Sequence, residues 1–227
     1  MRSSHMTVRQ APWFMLVGGI NGAGKSTFSQ SPETLRSLVE LSDAERIEII
    51  NPDTVTRALM AADPSLKQPD ANRLAADQCE QHVRTLIDKR RTHFVIETVL
   101  ASDKYRSIVQ RALELDWNVL FVYVALPSVE AALDRVRIRV ANGGHDVPDE
   151  KVRKRWPVSL QNLAWFWRSA TACVLMLNED KPVLLASKQQ GITKIFEATP
   201  CPHAMGPVLK ATAEACGVVD PPATAKE

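Results

Sequence analysis

Near its N-terminus the chain reads Gly19-Ile20-Asn21-Gly22-Ala23-Gly24-Lys25-Ser26, which fits the pattern G-x-x-x-x-G-K-[ST] of a phosphate-binding loop, or P-loop. The apolar residues before it, Phe14-Met15-Leu16-Val17, predict a buried strand that ends at Gly18. From Thr27 onward no helix-breaking residue occurs until Pro32, which predicts a helix after the loop. A strand, a loop and a helix in this order are the context that the pattern requires. We therefore expect this segment to bind a nucleoside triphosphate.

The residue types of the loop suit triphosphate chemistry. Backbone N–H groups of a glycine-rich loop converge on phosphate oxygens, and the N-terminus of the following helix adds partial positive charge. We expect Lys25 to reach the β- and γ-phosphates of ATP and the Ser26 hydroxyl to ligate Mg²⁺. The predicted nucleotide-binding residues are Gly19, Asn21, Gly22, Ala23, Gly24, Lys25, Ser26, Thr27 and, farther along the chain, Arg135. The alternative is a glycine-rich turn that carries its lysine by chance.

The composition sets broad limits on the class of protein. The 227 residues suffice for one α/β domain with small appendages, and 45% of them are hydrophobic. A net charge of +2 gives no general attraction to nucleic acids or membranes, and no apolar run approaches the roughly 20 residues that span a bilayer. The four cysteines include no C-x-x-C pair, which favours free thiols in a cytoplasmic protein. We therefore expect neither a nucleic-acid partner nor a membrane partner.

Short apolar segments alternate with longer segments of helical periodicity along the chain. Further strands are predicted at 47–50, 94–96, 119–125, 173–177 and 183–186. Helices are predicted at 70–91, 105–115, around 133–140 and at 151–170. Pro157 lies inside the last of these and is expected to kink or split it. The alternation predicts an α/β protein of the P-loop NTPase type, a kinase-like three-layer sandwich with a mostly parallel central sheet.

The chain divides into three expected regions. Residues 1–12 are expected to be disordered or derived from cloning, and residues 13–190 to form the kinase-like domain. Clear periodicity is lost after Lys188, so residues 191–227 are expected to form a loosely packed C-terminal tail. Within the domain, we expect residues from about 127 to 158 to form a lid.

Carboxylates and hydroxyls follow two of the predicted strands. Two residues, Asn51 and Pro52, separate Asp53 from the second strand, and Glu97 and Thr98 follow the third. Because ligands of parallel sheets bind at the carboxyl ends of the strands, these residues should converge with the P-loop on one cleft. We expect Asp53 to be the catalytic base, and Asp53, Glu97, Thr98 and Ser102 to bind the substrate. Asp53 could instead cap a helix, and Glu97 could hold a Mg²⁺-bound water or face solvent.

Arginines cluster in the expected lid. Arg135 and Arg139 are four residues apart on a predicted helix and share one face of it. The apolar residues of that helix turn away from this face, namely Leu133, Val136 and Val140. Gly143-Gly144 provides a flexible joint before a second basic segment that contains Arg155. Two arginine-bearing helices joined by glycines suit a lid over bound phosphates, with Lys25, Arg139 and Arg155 as catalytic cations. The alternatives are a solvated basic face or an RNA-binding patch.

Taken in order, these motifs resemble those of the zeta-toxin-like P-loop kinases, in particular the small bacterial branch. The matching segments are Gly19–Thr27, Asn51–Asp53, Glu97-Thr98, Arg135–Val140, Gly143–Pro148, Arg153–Arg155 and Ser159–Leu163. The resemblance covers roughly residues 13–190. It departs at Asn178-Glu179-Asp180, where relatives tend to show an Asp-Asn-Ser turn, although Asn178 would still lie near the adenine by this resemblance.

The resemblance implies an ATP- and Mg²⁺-dependent kinase. Characterised zeta toxins phosphorylate a sugar hydroxyl of UDP-N-acetylglucosamine, which blocks cell-wall synthesis, and an antitoxin protein is the partner that the resemblance implies. The residues themselves leave other acceptors open: a nucleoside, an antibiotic hydroxyl or a polynucleotide end. They also leave open a nucleotide-binding regulator with slow ATP hydrolysis, which would bind ATP without any acceptor-stimulated turnover.

Overall fold

A seven-stranded sheet is the centre of the computed structural model, which describes residues 11–89, 92–144, 146–179, 182–196 and 206–217. Its strands are β1 (Trp13–Gly18), β2 (Ile47–Ile50), β3 (His93–Thr98), β4 (Asn118–Ala125), β5 (Ala172–Asn178), β6 (Pro182–Gln189) and β7 (Ile192–Ile195). They are arranged in the order β2-β3-β1-β4-β5-β6-β7. Strands β2, β3, β1, β4 and β5 are parallel, whereas β6 and β7 are antiparallel to their neighbours. The predicted α/β sandwich with a mostly parallel sheet is confirmed.

Helices cover both faces of this sheet. They are α1 (Lys25–Ser29), α2 (Pro32–Val39), α3 (Pro52–Ala62), α4 (Gln68–Lys89), α5 (Lys104–Glu114), α6 (Val129–Ala141), α7 (Asp149–Ser169) and α8 (Gly206–Cys216). Alternate side chains of the sheet enter two separate hydrophobic clusters. Phe14 and Leu16 of β1 pack on the side of α4, α5, α7 and α8, whereas Met15 and Val17 pack on the side of α2 and α6. Because β1 is buried on both faces, its sequence is a continuous apolar run.

The structure corrects our expectation of a loosely packed C-terminal tail. Strand β7 lies within the region 191–227 and pairs with β6. Helix α8 lies there too, and Val208, Ala211 and Ala215 on one of its faces belong to the same hydrophobic cluster as Phe14 and Leu16. These residues recur at intervals of three and four, a helical pattern that small alanine side chains make easy to overlook. Residues 197–205 and 218–227 of the expected tail lie outside the described residues.

Two details of the basic helices also differ from expectation. Pro157 does not split the segment, because α7 continues through it from Asp149 to Ser169. Pro157 has no N–H to pair with the carbonyl of Arg153 one turn earlier. Both residues are exposed, so water can replace the lost hydrogen bond. On α6, Leu133 and Val136 are buried as expected, whereas Val140 in the last turn is 38% exposed.

At the N-terminus, Ala11 and Pro12, the last two residues of the segment expected to be disordered or derived from cloning, contact β4. The side-chain amide of Asn118 donates to the carbonyl of Ala11 at 3.4 Å, and its backbone N–H donates to Pro12 at 2.9 Å. These contacts fix the chain directly before β1. Residues 1–10 lie outside the described part.

Two expectations from composition concern thiols and membranes. Cys79, Cys173 and Cys216 are free thiols, as expected, and Cys201 lies outside the described residues. None of the helices that the structure describes has both the length and the apolar character needed to cross a bilayer.

Candidate active site

The loop between β1 and α1 has a backbone that requires glycine at two positions. Gly19 has a φ of 144°, and a Cβ added to it would lie 2.3 Å from the carbonyl oxygen of Val124 on β4. Gly24 has a φ of 85°, and a Cβ there would lie 2.4 Å from the side-chain amide of Asn178. Any other residue would therefore be strained and would collide with its neighbours. The loop follows a buried strand and leads into a helix, which is the geometry of a phosphate-binding P-loop.

Asn178 lies against this loop rather than free at a strand end. Its side-chain amide donates to the carbonyl oxygen of Ala23 at 2.8 Å from the last position of β5. The resemblance placed Asn178 near the adenine, and the structure shows it supporting the phosphate-binding backbone. Directly after the loop, Ser26 and Thr27 are exposed in the first turn of α1.

The charged residues of the predicted site act electrostatically on Lys25. Its ammonium group donates to the carbonyl of Ile20 at 3.1 Å. Burial lowers the pKa of Lys25 to about 8, an effect that nearby carboxylates oppose and nearby guanidinium groups reinforce. The groups that act on it are Glu97, Arg139, Asp53 and Arg155. The structure therefore brings the four predicted catalytic residues together with Glu97.

Glu97 joins β3 to the P-loop helix. In the parallel register of β1 and β3 it lies opposite Val17, directly before the loop. One of its carboxylate oxygens accepts a hydrogen bond from the Ser26 hydroxyl at 3.1 Å, and the other accepts one from Ser29 at 2.5 Å. This leaves the alternative of a solvent-facing strand end without support. Ser29 is buried and was not singled out in the sequence, although it lies one helical turn after Lys25.

Asp53 lies in the first turn of α3 and does not cap it. The helix is capped by Asn51, whose side-chain oxygen accepts the backbone N–H of Asp53 at 2.9 Å, and Pro52 occupies the first helical position. The capping role that Asp53 could have had is therefore filled. Within the described residues, no hydrogen bond to the Asp53 carboxylate is found, and the residue is exposed beside Lys25.

Two of the predicted arginines contact the P-loop or the strand end beside it. The guanidinium of Arg155 on α7 donates to the side-chain oxygen of Asn21 at 3.1 Å. Arg135 on α6 donates to the carbonyl of Glu179 at 3.3 Å, and its Cβ would lie 3.3 Å from a Cβ added to Gly22. Both helices of the expected lid therefore reach the nucleotide side of the cleft.

The joint between α6 and α7 is packed against Arg139. The backbone N–H of Gly144 donates to the Arg139 carbonyl at 2.9 Å, and a Cβ on Gly144 would lie 2.5 Å from the Arg139 side chain. Other arginines of this segment lie at the surface instead. Arg153 pairs with Glu130 at 2.9 Å, and both side chains are more than half exposed.

The contacts at Thr98 and Ser102 are formed in the loop after β3. The Thr98 hydroxyl accepts the N–H of Leu100 at 3.1 Å, and Leu100 has a left-handed φ of 58°. Asn162 on α7 donates to the carbonyls of Leu100 and Ser102 at 2.9 and 3.3 Å, and Arg106 donates to the Asn162 side-chain oxygen at 2.7 Å. Asn162, to which we had assigned no role, thus holds the loop after β3, while the Ser102 residue is exposed.

Comparisons with known proteins identify a family and a relative that this chain matches. A family described as an AAA domain, AAA_33, matches residues 14–157. An uncharacterized protein of Haemophilus influenzae is 30% identical over 157 residues, which is 66% of this chain and 99% of that protein.

Solved structures with a similar fold include a chain of the AvrRxo1-ORF1:AvrRxo1-ORF2 complex with sulphate ions. It has a TM-score of 0.64 and 17% identity over 87% of this chain and 64% of that one, so this chain spans less than two thirds of its length. A structure from the PezAT toxin-antitoxin system of Streptococcus pneumoniae has a TM-score of 0.58 and 16% identity over 77% of this chain and 70% of that one. Likeness at this identity shows a shared fold.

Proposed function

We propose that this chain, which belongs to the AAA_33 family of AAA domains, is an ATP-dependent kinase that phosphorylates a hydroxyl of a small molecule. The observation that carries the proposal is the cluster around Lys25, where the charges of Glu97, Arg139, Asp53 and Arg155 all act on one ammonium group that is bonded to the P-loop carbonyl of Ile20. Phosphoryl transfer requires this combination, because the protein must position a phosphate, neutralise its charge and orient an attacking hydroxyl.

The nucleotide would bind along the loop between β1 and α1. Backbone N–H groups of the glycine-rich loop would bind the phosphates, Lys25 would contact the β- and γ-phosphates, and Ser26, Thr27 and Arg135 would lie beside them. Arg139 and Arg155 would stabilise the charge on the transferred group, since guanidinium groups bind phosphate oxygens in a bidentate geometry. A solved structure of the AvrRxo1-ORF1:-ORF2 complex with ATP, which has a TM-score of 0.62 to this chain, supports a nucleotide in this fold.

The residues present also fit Mg²⁺. The Ser26 hydroxyl and the Glu97 carboxylate lie 3.1 Å apart, and hydroxyl and carboxylate oxygens are the hard ligands that Mg²⁺ prefers. Ser26 would ligate the ion directly and Glu97 would hold one of its water ligands. When bound, Mg²⁺ supplies charge neutralisation between the β- and γ-phosphates.

Asp53 would act as the base. Its exposed carboxylate near Lys25 would accept the proton of the acceptor hydroxyl while the acceptor oxygen bonds to the γ-phosphorus. The bond from that phosphorus to the β,γ-bridging oxygen then breaks, and ADP leaves with the electron pair. Glu97, Thr98 and Ser102 would line the acceptor side, the last two through the loop that Asn162 holds.

A mass-spectrometric search for a phosphorylated product tests this function. The protein is mixed with ATP, Mg²⁺ and either UDP-N-acetylglucosamine, the acceptor implied by the resemblance, or a small-metabolite extract. Lys25→Ala and Asp53→Asn are expected to abolish the product, and Asp43→Asn, an exposed aspartate in the loop before β2, is the matched control. ADP release without any phosphorylated acceptor, unaffected by Asp53→Asn, would indicate a slow nucleotide-hydrolysing regulator instead.

An antitoxin partner is a proposal from the fold and the sequence resemblance. PezAT is a toxin-antitoxin system and the AvrRxo1 chains form a complex, but these statements belong to those proteins. If this chain is a toxin, its expression should arrest growth and Lys25→Ala should not. Growth that is equal for the two proteins would argue against a toxin and its antitoxin.

A further inference from the structure

A groove of about 630 Å³ lies beside the candidate active site and has no assigned ligand. It is bounded by the edge strand β2, by α3 and by α4, and the end of α1 closes one side. Its polar lining consists of Gln30, Glu48, Asn51, Thr54, Gln78 and His82. Amide, hydroxyl, carboxylate and imidazole groups therefore surround a space large enough for a small organic molecule.

The groove is lined by residues on both sides of the proposed base in the sequence. Asn51 and Thr54 line it, and they flank Asp53 in the first turn of α3. Gln30 lines it as well and follows α1, the helix that Lys25 opens. A molecule in the groove would therefore lie against the end of the P-loop helix and the first turn of α3, and its hydroxyl would reach from there to Asp53, which does not line the groove itself.

The charges in the groove differ from those at the nucleotide side. In the part of the chain that the structure describes, no lysine or arginine lines the groove. Glu48 and His82 are half-exposed, with Glu48 Oε1 and His82 Nε2 2.5 Å apart. Arg57 does not line the groove; its guanidinium donates to the Thr54 hydroxyl and to the Asp53 carbonyl of its own helix, α3. A phosphate group would meet the Glu48 carboxylate without a free cation from the lining to offset it.

We propose that this groove binds the phosphoryl acceptor and that the acceptor is an uncharged, polyhydroxylated compound without a phosphate group, such as a sugar or a nucleoside. The inference rests on the kinase function proposed above. Hydroxyl groups of such a compound can pair with Glu48, His82 and the amides of Gln30 and Gln78, while Ile50 and Val55 contact the apolar face of its ring. The acceptor hydroxyl loses its proton to Asp53 and gains the γ-phosphoryl group of ATP, which leaves as ADP.

A fractionated metabolite extract tests the charge of the acceptor. An anion exchanger separates the extract into an unretained fraction of uncharged and cationic compounds and a retained fraction that contains phosphates and sugar nucleotides. Each fraction is incubated with the full chain, Mg²⁺ and ATP labelled on the γ-phosphate, and labelled organic products are identified by mass. We expect the labelled product from the unretained fraction, and its mass distinguishes a sugar from a nucleoside.

The two ways of failing are distinct. A labelled product from the retained fraction alone overturns the inference and leaves the kinase function intact. ATP hydrolysis without a labelled organic product from either fraction overturns both.

Substitutions in α4 test the groove itself. Gln78 and Gln81 are both exposed on this helix, but only Gln78 lines the groove. We expect Gln78→Trp to fill the groove and raise the acceptor KM at least tenfold, whereas Gln81→Trp should leave KM within twofold of wild type. Binding of ATP, measured for each protein, identifies a variant that fails to fold. Equal KM values for the two variants would overturn the location of the acceptor.

Glu48→Gln tests the charge by a change of sign. The substitution removes a negative charge but keeps the side-chain shape and an acceptor oxygen for His82. An uncharged acceptor loses a charge-assisted hydrogen bond, so its KM should rise severalfold. An anionic acceptor would be relieved of repulsion, and a KM that falls or stays unchanged would overturn the inference.

Discussion

At the scale of single residues, Lys25 shows how the site is set for a polyanion. Its pKa falls from the ordinary value of 10.5 to about 8, mainly through burial; Glu97 and Asp53 oppose this fall, whereas Arg139 and Arg155 contribute to it. The fold therefore holds an ammonium group that lacks full compensation. Triphosphate oxygens would supply the missing negative charge, and they would restore the ordinary pKa of the lysine.

The first prediction follows from this pKa. Below about pH 8, Lys25 is protonated with or without ATP, so binding takes up no proton at this group. Between about pH 8 and 10.5 the free protein carries mostly neutral Lys25, and ATP binding should take up most of one proton, with an affinity that falls as the pH rises. Calorimetry at pH 7 and pH 9 in buffers of different ionisation enthalpy measures this uptake.

Lys25→Arg is the control for that measurement, because a guanidinium group stays charged across the whole range. Its proton uptake at pH 9 should be close to zero after the contribution of ATP itself is included in both proteins. Equal uptake by wild type and Lys25→Arg at pH 9 would show that another group takes up the proton.

A second prediction concerns Ser29, whose hydroxyl donates to the Glu97 carboxylate. Hydrogen bonds to charged groups contribute roughly 1.5 kcal/mol or more, so Ser29→Ala should weaken the position of Glu97 and reduce the apparent Mg²⁺ affinity about tenfold. Turnover is measured against Mg²⁺ at fixed ATP. Ser37→Ala is the matched control, since the Ser37 hydroxyl bonds only to the backbone of Thr34 among the described residues. A Mg²⁺ dependence identical to wild type would exclude Ser29 from this role.

The sequence predicts the residues of the site better than their connections. The P-loop pattern and the strand-end position of Glu97 can be recognised because spacing along the chain carries them. The bond from Ser29 to Glu97 joins positions 68 residues apart, and the loop contacts of Asn162 join positions about 60 apart. Such pairings depend on side-chain geometry that periodicity does not encode.

At the scale of elements, α6 and α7 divide their arginines between two tasks. Arg139 and Arg155 act on the site, whereas Arg153 pairs with Glu130 and thereby ties α7 to α6 at the surface. The two roles occur only two residues apart on α7. The run of basic residues in the sequence thus contains both candidate catalytic arginines and an arginine that forms a structural ion pair.

This division gives the third prediction. Arg139→Ala and Arg155→Ala should each lower kcat by two or more orders of magnitude with little change in ATP affinity, because their charge matters most when the phosphoryl group is in transit. Arg153→Ala removes the same charge from the same segment but only an exposed pair, so its kcat should stay near wild type. Steady-state kinetics with the acceptor that the metabolite-extract experiment identifies measures all three. A kcat near wild type in both site variants would contradict the lid.

Element prediction succeeds where the pattern is strong and fails where residues are small or few. The helix predicted at 70–91 from its apolar periodicity is found at Gln68–Lys89. Strand β7 has four residues and α8 presents alanines, so neither produces a contrast that periodicity can detect. Pro157 does not split α7, since on an exposed helix face water can replace the hydrogen bond that the proline removes.

At the scale of the whole molecule, sheet order assembles the cleft. Strand β1 lies between β3 and β4, so the P-loop that follows β1 has a parallel strand on each side. Strands β2 and β3 end at the same edge of the sheet and bring Asp53 and Glu97 there. Three separate segments therefore meet at the carboxyl ends of parallel strands. Sequence reasoning could foresee this because the rule for parallel sheets depends on topology alone.

The last prediction is that α8 is a structural part of the domain. Val208 is fully buried, and α8 packs its small residues on the side of the sheet that α7 also covers. Val208→Asp would place a carboxylate in this cluster and lose the burial of a valine, which contributes at least about 1.5 kcal/mol. For a chain of this size the melting temperature should fall by about 3 °C or more.

Glu214→Ala, on the exposed side of the same helix, is the control and should leave the melting temperature unchanged within about 1 °C. Thermal unfolding followed by circular dichroism compares the two variants with wild type. A tail that is only loosely attached would tolerate both changes equally. Because α7 carries Arg155 on one part and packs against α8 on another, destabilisation by Val208→Asp should also reduce ATP affinity at temperatures near the transition.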